Sequence, residues 1–270
     1  MNIYIKKSIL FLSIGLFFST PVLAGTKCFL AKENNQVIMS EGDCRSRHAP
    51  CSTFKIAISL MGYHEGLLND EMHPKLPFKE GYVDDIDKWK QSHTPYSWLK
   101  NSCVWYSQVI TQQLGMKKLI HYMAEFDYGN QDVSGDKGRN NGLTNSWLSS
   151  SLEISPEEQI VFLQKLLEND LPVSRISHEM TKNILFVEDL ADGWKLYGKT
   201  GSGSLLNQDR TEKLKDRQIG WYIGWIQKEN RTIIFAHYIE DDDKQDTYAS
   251  IRARAAAKEK LITLIRKSNT

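Results

Sequence analysis

The chain has 270 residues, with 34 Lys+Arg against 33 Asp+Glu and a formal net charge of +1. Removing residues 1–24 takes away Lys6 and Lys7 and no acid, leaving 32 basic against 33 acidic side chains and a net charge of −1. So balanced a chain carries no electrostatic footprint for nucleic acid or an anionic membrane surface. Its length suits one large domain or two interlocked ones.

Residues 1–24 are expected to be a cleavable export signal, leaving residues 25–270 as the mature domain. Lys6 and Lys7 precede an apolar run from Ile9 to Phe18, and small residues surround a cut after Ala24. The run is shorter than the roughly 20 apolar residues a membrane span needs. No cysteine directly follows Ala24, so neither a lipid anchor nor stable membrane association is expected after cleavage. The expected destination is a bacterial periplasm. In that oxidising compartment Cys28, Cys44, Cys51 and Cys103 leave room for a disulfide. Cys28 and Cys44 flank a hairpin-like segment around Asn34-Asn35, but Cys51 is also near Cys44, so the pairing stays open. No C-x-x-C or H-E-x-x-H occurs and the histidines are scattered, so no metal site is expected.

After the hairpin, residues 52–66 read as a mostly buried helix. Residues 102–114 and 116–126 read as two more, separated by Gly115. Ser155-Pro156-Glu157-Glu158 predicts a helix start with a serine cap, a proline in the first turn and a glutamate at the third position. From residue 194 the texture is that of strands: Trp194–Tyr197, Ile219–Gln227 and Thr232–Ile239, with a turn at Glu229-Asn230. Ala249–Arg266 closes the chain as a helix. The expected fold is α/β of the α+β kind: an antiparallel sheet flanked by helices, with a mainly helical subdomain inserted between its early and late strands.

Ser52-Thr53-Phe54-Lys55 sets a hydroxyl and an amine one helical turn apart. Ser52 serves equally well as a helix cap, and Lys55 as a surface lysine. As a pair they are a nucleophile and its base, provided that burial among Phe54, Val104 and Trp147 lowers the lysine pKa from about 10.4. Lys199-Thr200-Gly201 offers a cation, a hydroxyl and a bare backbone on a predicted strand, suited to an anionic ligand. Ser102 could relay a proton to a leaving nitrogen. Tyr128-Gly129-Asn130 and Trp147 read alone as a turn and a core residue.

Together, in this order, these pieces resemble the class D serine β-lactamases, the oxacillinases. The matching segments are Ser52-Thr53-Phe54-Lys55, Ser102-Cys103-Val104, Tyr128-Gly129-Asn130, Trp147, Lys199-Thr200-Gly201 and Gly220-Trp221-Tyr222-Ile223-Gly224-Trp225. The resemblance implies the transpeptidase-like fold of penicillin-recognising serine enzymes and β-lactam hydrolysis without a metal. It implies acylation of Ser52, an oxyanion hole from the N–H groups of Ser52 and Ser202, and proton transfer through Ser102 and Lys199. Lys199, Thr200, Gly201, Val104 and Arg252 would bind substrate, with Arg254 the competitor for the carboxylate. Lys55 would add carbon dioxide to become a carbamate supported by Trp147. The Glu65…Asn69 spacing fits a class A pattern, but it lies on the Ser52 helix and is not expected to serve deacylation. The rivals are a penicillin-binding transpeptidase and a β-lactam sensor, both acylated without rapid turnover; the export signal argues against both.

Overall fold

The computed structural model describes residues 26–267, so the expected export signal and cleavage site lie outside the described residues. The described chain opens with the antiparallel pair β1 (Thr26–Glu33) and β2 (Gln36–Gly42). Asn34 and Asn35 join them with φ of 49° and 63°. Asparagine tolerates the left-handed region, and two such residues make the hairpin turn that matches strand twist. The turn brings Cys28 and Cys44 to a Cα separation of 5.1 Å, where they form a disulfide; Cys51 and Cys103 remain buried thiols.

The helical subdomain follows. It comprises α1 (Lys55–His64), α2 (Pro95–Lys100), α3 (Val104–Leu114), α4 (Met116–Glu125), α5 (Gly142–Asn145), α6 (Pro156–Glu168) and α7 (Arg175–Ile184). The late strands are β3 (Phe186–Asp189), β4 (Lys195–Leu206), β5 (Lys213–Lys228) and β6 (Arg231–Glu240), and α8 (Ala249–Lys267) closes the chain. The expected insertion is observed, and the six strands lie in the order β2-β1-β6-β5-β4-β3. The helix start at Ser155 forms as a reciprocal capping box with Glu158. α2, α5 and β3 span only four to six residues each, too few to show a period, whereas the 10-residue α7 was not read from the sequence. The cap of α7 was nonetheless available, since Ser174 Oγ accepts the N–H of Ser177.

Burial sorts the sheet into two faces. Phe29, Ala31, Leu196, Tyr222 and Phe235 pack against Ala253, Ala257 and Leu261 of α8. The opposite face, through Leu30, Trp221, Ile223 and Trp225, joins the core of the helical subdomain. β3 pairs with β4 only as far as Tyr197, which leaves the β4 edge from Lys199 onward without a strand neighbour among the described residues. The functional residues gather where that edge meets the helical subdomain.

Candidate active site

Ser52 does not cap a helix. It sits second in a 3-10 turn, Cys51–Phe54, whose N-cap is Pro50 without any side-chain cap bond, and α1 begins only at Lys55. The hydroxyl is therefore free of backbone duty, and Lys55 Nζ donates to Ser52 Oγ at 3.1 Å. Lys55 has no solvent exposure. Burial pulls its pKa down to about 8, against a smaller opposing pull from Cys103 and Cys51. At that value roughly a tenth of the amine is neutral at pH 7, where an ordinary lysine is almost wholly charged. Phe54, Val104 and Trp147, the residues expected to bury it, are themselves buried.

Lys199 and Ser102 meet across the cleft. Lys199 Nζ donates to Ser102 Oγ in a short hydrogen bond and to the Thr200 carbonyl at 3.0 Å. Burial first, and then the charges of Lys55 and Arg254, hold the Lys199 amine well below the usual lysine range. Ser102 lies just before α3 rather than in it, with φ of 53°. Cys51 and Ser149 share this left-handed backbone, at 51° and 54°. Such residues cost on the order of 1–3 kcal/mol each and persist only where their surroundings hold them.

Gly201 lets β4 close on the Ser52 turn. A Cβ there would lie 2.9 Å from the Pro50 carbonyl oxygen and 3.3 Å from the Ser52 nitrogen. Cys51 N–H donates to the Trp147 carbonyl at 3.0 Å and Thr53 N–H to the Pro50 carbonyl at 3.1 Å. These bonds fix the turn on both sides of Ser52. Ser202 follows on β4, paired across the sheet with Gly220.

Trp147 packs on Phe54 with ring centroids 5.5 Å apart, and its indole nitrogen is buried without a hydrogen-bond partner. An unpaired buried donor costs about 1–3 kcal/mol, and an indole N–H can do nothing but donate. Tyr128 is core: its ring meets Phe54 and Phe162, and burial pushes its hydroxyl pKa up. Gly129 and Asn130 hold the segment after Trp147. Gly129, with φ of 56°, has no space for a Cβ beside the Glu153 carbonyl. Asn130 accepts the Glu153 N–H at 2.9 Å and donates to the Ser151 carbonyl at 2.8 Å.

Arg252 stands apart from the carboxylate role expected of it. Its guanidinium is closed on buried Asp241, with both hydrogen bonds at 2.6 Å. A cavity of about 230 Å³ along the β4 edge is lined by Tyr96, Leu99, Lys199, Thr200 and Arg254, among others; neither Arg252 nor Ser52 is in that lining. Asp241 was the signal missed in the sequence, because it sits in an acidic run that reads as solvated. Glu65 is likewise engaged elsewhere, accepting from Lys118 and, at 2.6 Å, from the Tyr122 hydroxyl. Among the described residues, no group of three or more His, Cys, Asp or Glu side chains could hold a metal ion.

Residues 22–262 match the family described as the penicillin binding protein transpeptidase domain. The chain is 40% identical to β-lactamase OXA-1 of Escherichia coli over 246 residues, covering 88% of this chain and 85% of that protein. The crystal structure of OXA-427 class D β-lactamase superposes with a TM-score of 0.84 at 44% identity, covering 89% of this chain and 98% of that one. The regulatory protein BlaR1 of Bacillus licheniformis is 28% identical over 226 residues, which are 82% of this chain but 34% of BlaR1. With the Ser52–Lys55 pair, the Lys199–Ser102 contact and the six-stranded sheet in place, the chain belongs to the class D β-lactamases, built on the penicillin-binding transpeptidase domain.

Proposed function

We propose that the protein hydrolyses the β-lactam ring of penicillin-type antibiotics through an acyl-enzyme on Ser52, and so gives β-lactam resistance. The observation that carries this is the 3.1 Å hydrogen bond between Ser52 Oγ and the wholly buried amine of Lys55. Neutral Lys55 takes the Ser52 proton as Oγ attacks the ring carbonyl. The N–H groups of Ser52 and Ser202 receive the developing oxyanion, an effect worth several kcal/mol in serine hydrolases. The carbon–nitrogen bond breaks, and Ser102 passes a proton to the leaving nitrogen with Lys199 behind it. Water then attacks the ester, releasing the ring-opened acid and returning Ser52.

Thr200 and Lys199 bind the substrate carboxylate from the open β4 edge. Arg254 takes the arginine role, because it shares the cavity with them while Arg252 is closed on Asp241. Gly201 admits the substrate backbone closely, and Val104, at the start of α3, forms part of the wall.

The buried, low-pKa amine of Lys55 and the unpaired indole N–H of Trp147 fit a lysine carboxylated by carbon dioxide. When bound, that group supplies an anionic base for Ser52 and for the deacylating water. Lys55 must be neutral to receive it, and Trp147 donates to hold it.

Residues 1–24 direct export to the periplasm. The Cys28–Cys44 disulfide supports this reading, since such bonds persist in oxidising compartments. Among the described residues, no helix is long and apolar enough to cross a membrane.

Turnover tests the proposal. Purified mature protein should open many molar equivalents of a penicillin. Hydrolysis that stops near one equivalent, with the acyl group retained on Ser52, would make it a sensor or a slow transpeptidase instead.

A further inference from the structure

The loop that carries Trp147 is bound on both sides of that residue, and both attachments converge on one carboxylate. Asp136 Oδ2 accepts from Asn141 Nδ2 at 2.9 Å and from Asn145 Nδ2 at 2.8 Å. Its Oδ1 accepts from Ser150 Oγ at 2.8 Å. Its own N–H donates to Asn141 Oδ1 at 2.9 Å. Asn145 precedes Trp147 and Ser150 follows it, so the two carboxylate oxygens hold the two flanks of the tryptophan.

Only an ionised carboxylate can accept side-chain donors on both of its atoms while presenting none of its own. Burial opposes ionisation of Asp136, but the hydrogen bonds from Asn141, Ser150 and Asn145 outweigh it and hold the carboxyl below its usual range. The anion therefore persists across the working pH.

From this brace the loop reaches the nucleophile directly. The Trp147 carbonyl takes the Cys51 N–H beside Ser52, and Ser149 Oγ accepts the Ser204 N–H at 2.9 Å from β4. The indole ring has no polar partner of its own to set its direction. Its orientation follows from packing and from the path of the backbone, which Asp136 ties down through Asn145 and Ser150.

We propose that Asp136 is a positioning residue for Trp147, fixing the loop so that the indole N–H supports the carboxylated form of Lys55. The proposal rests on the reading of Lys55 given above. Asp136 itself bonds Asn141, Asn145 and Ser150 and not Lys55, so it would act through the loop.

The test compares the wild type with Asp136→Asn, which keeps the size but places an amide donor among donors, and with the milder Ser150→Ala. Three quantities are measured: carbamate occupancy by NMR with ¹³C-bicarbonate, the Trp147 indole ¹⁵N–¹H resonance assigned through Trp147→Phe, and the thermal midpoint. Asp136→Asn should need about tenfold more bicarbonate for half occupancy, the loss expected from one charge-assisted hydrogen bond. The indole resonance should move, kcat at ambient carbon dioxide should fall and recover with bicarbonate, and KM should stay near the wild-type value. Ser150→Ala should shift the midpoint in the same direction but less. An unchanged bicarbonate midpoint and indole resonance would overturn the proposal, whatever happens to stability. If Asp136→Asn does not fold, an unchanged midpoint in Ser150→Ala overturns it by itself. No carbamate signal in the wild type would be a failure of the Lys55 reading; the indole resonance then decides whether Asp136 still positions Trp147.

Discussion

Arg252 and Asp241 form a closed bidentate ion pair, both hydrogen bonds at 2.6 Å and the carboxylate fully buried. Arg254 instead lies over the Tyr222 ring at 6.0 Å, pairs with Glu188 at 2.9 Å and lines the cavity beside Thr200. The two arginines should therefore fail in different ways. Arg252→Ala strands a buried carboxylate and should destabilise the fold by about 3 kcal/mol, read from urea unfolding, with KM nearly unchanged. Arg254→Ala should raise KM for a penicillin by the equivalent of about 1.5–3 kcal/mol, with little change in stability. A stable Arg252→Ala with a raised KM would reverse the assignment.

Ser52 should carry the covalent intermediate. Intact-mass and peptide spectra after mixing with a slowly hydrolysed β-lactam should place the adduct on a peptide containing Ser52. Ser52→Ala should form none; an adduct that persists in that variant sinks the mechanism.

Lys55 should impose an acid limit. Its folded pKa of about 8 means that the neutral amine predominates above that pH and falls about tenfold for each unit below it. Enzyme stripped of carbon dioxide should regain activity on adding bicarbonate and, with dissolved carbon dioxide held constant, at a rate that drops with pH in the same proportion between about 8 and 6. Trp147→Ala should deepen the bicarbonate dependence. Full activity in degassed buffer, with no labelled carbamate in the NMR spectrum, would leave Lys55 as a plain amine base.

Gly201→Ala should harm the site through sterics alone. The added Cβ meets the Pro50 carbonyl at 2.9 Å and Ser52 N at 3.3 Å, which pushes β4 away from the nucleophile turn. Overpacking of this kind costs about 1–3 kcal/mol in stability. Acylation should slow further, because Ser202 moves with the strand; stopped-flow acylation at the wild-type rate would refute this.

Acid should weaken the fold through buried histidines. His237 lies under α8 with Nδ1 2.9 Å from the Ala253 carbonyl, and burial lowers its pKa to about 4. Above pH 6.5 it is neutral in both states and contributes nothing. As pH falls from 6.5 towards 4, the unfolded chain takes up a proton that the folded protein refuses, and stability declines by up to about 3 kcal/mol. His48, His93 and His178, also lowered chiefly by burial, act in the same direction. His237→Phe should flatten the pH dependence of the unfolding free energy across that window; an unaltered slope would exclude His237 as its source.

What could be read from the sequence was what local chemistry determines. Asn34-Asn35 set the hairpin, Ser155 through Glu158 set a helix start, Gly115 separated α3 from α4, and the order of strand-like and helix-like texture gave the inserted architecture. Each depends on hydrogen bonds or periodicity within a few residues. The motif residues were visible too, as residue types at fixed spacings. Tertiary structure decided the rest, because those facts are contacts between distant segments. Lys199 meets Ser102 only because the chain folds the β4 edge against the start of α3. The full extent of β4, which runs from Lys195 to Leu206 and well past the expected Trp194–Tyr197, comes from its pairing with β5. Ser52 lost its expected cap because Trp147 and Pro50 hold a tighter turn around it. Which arginine is closed on a carboxylate turned on a buried aspartate, since a bidentate carboxylate satisfies a guanidinium wherever the fold brings the two together.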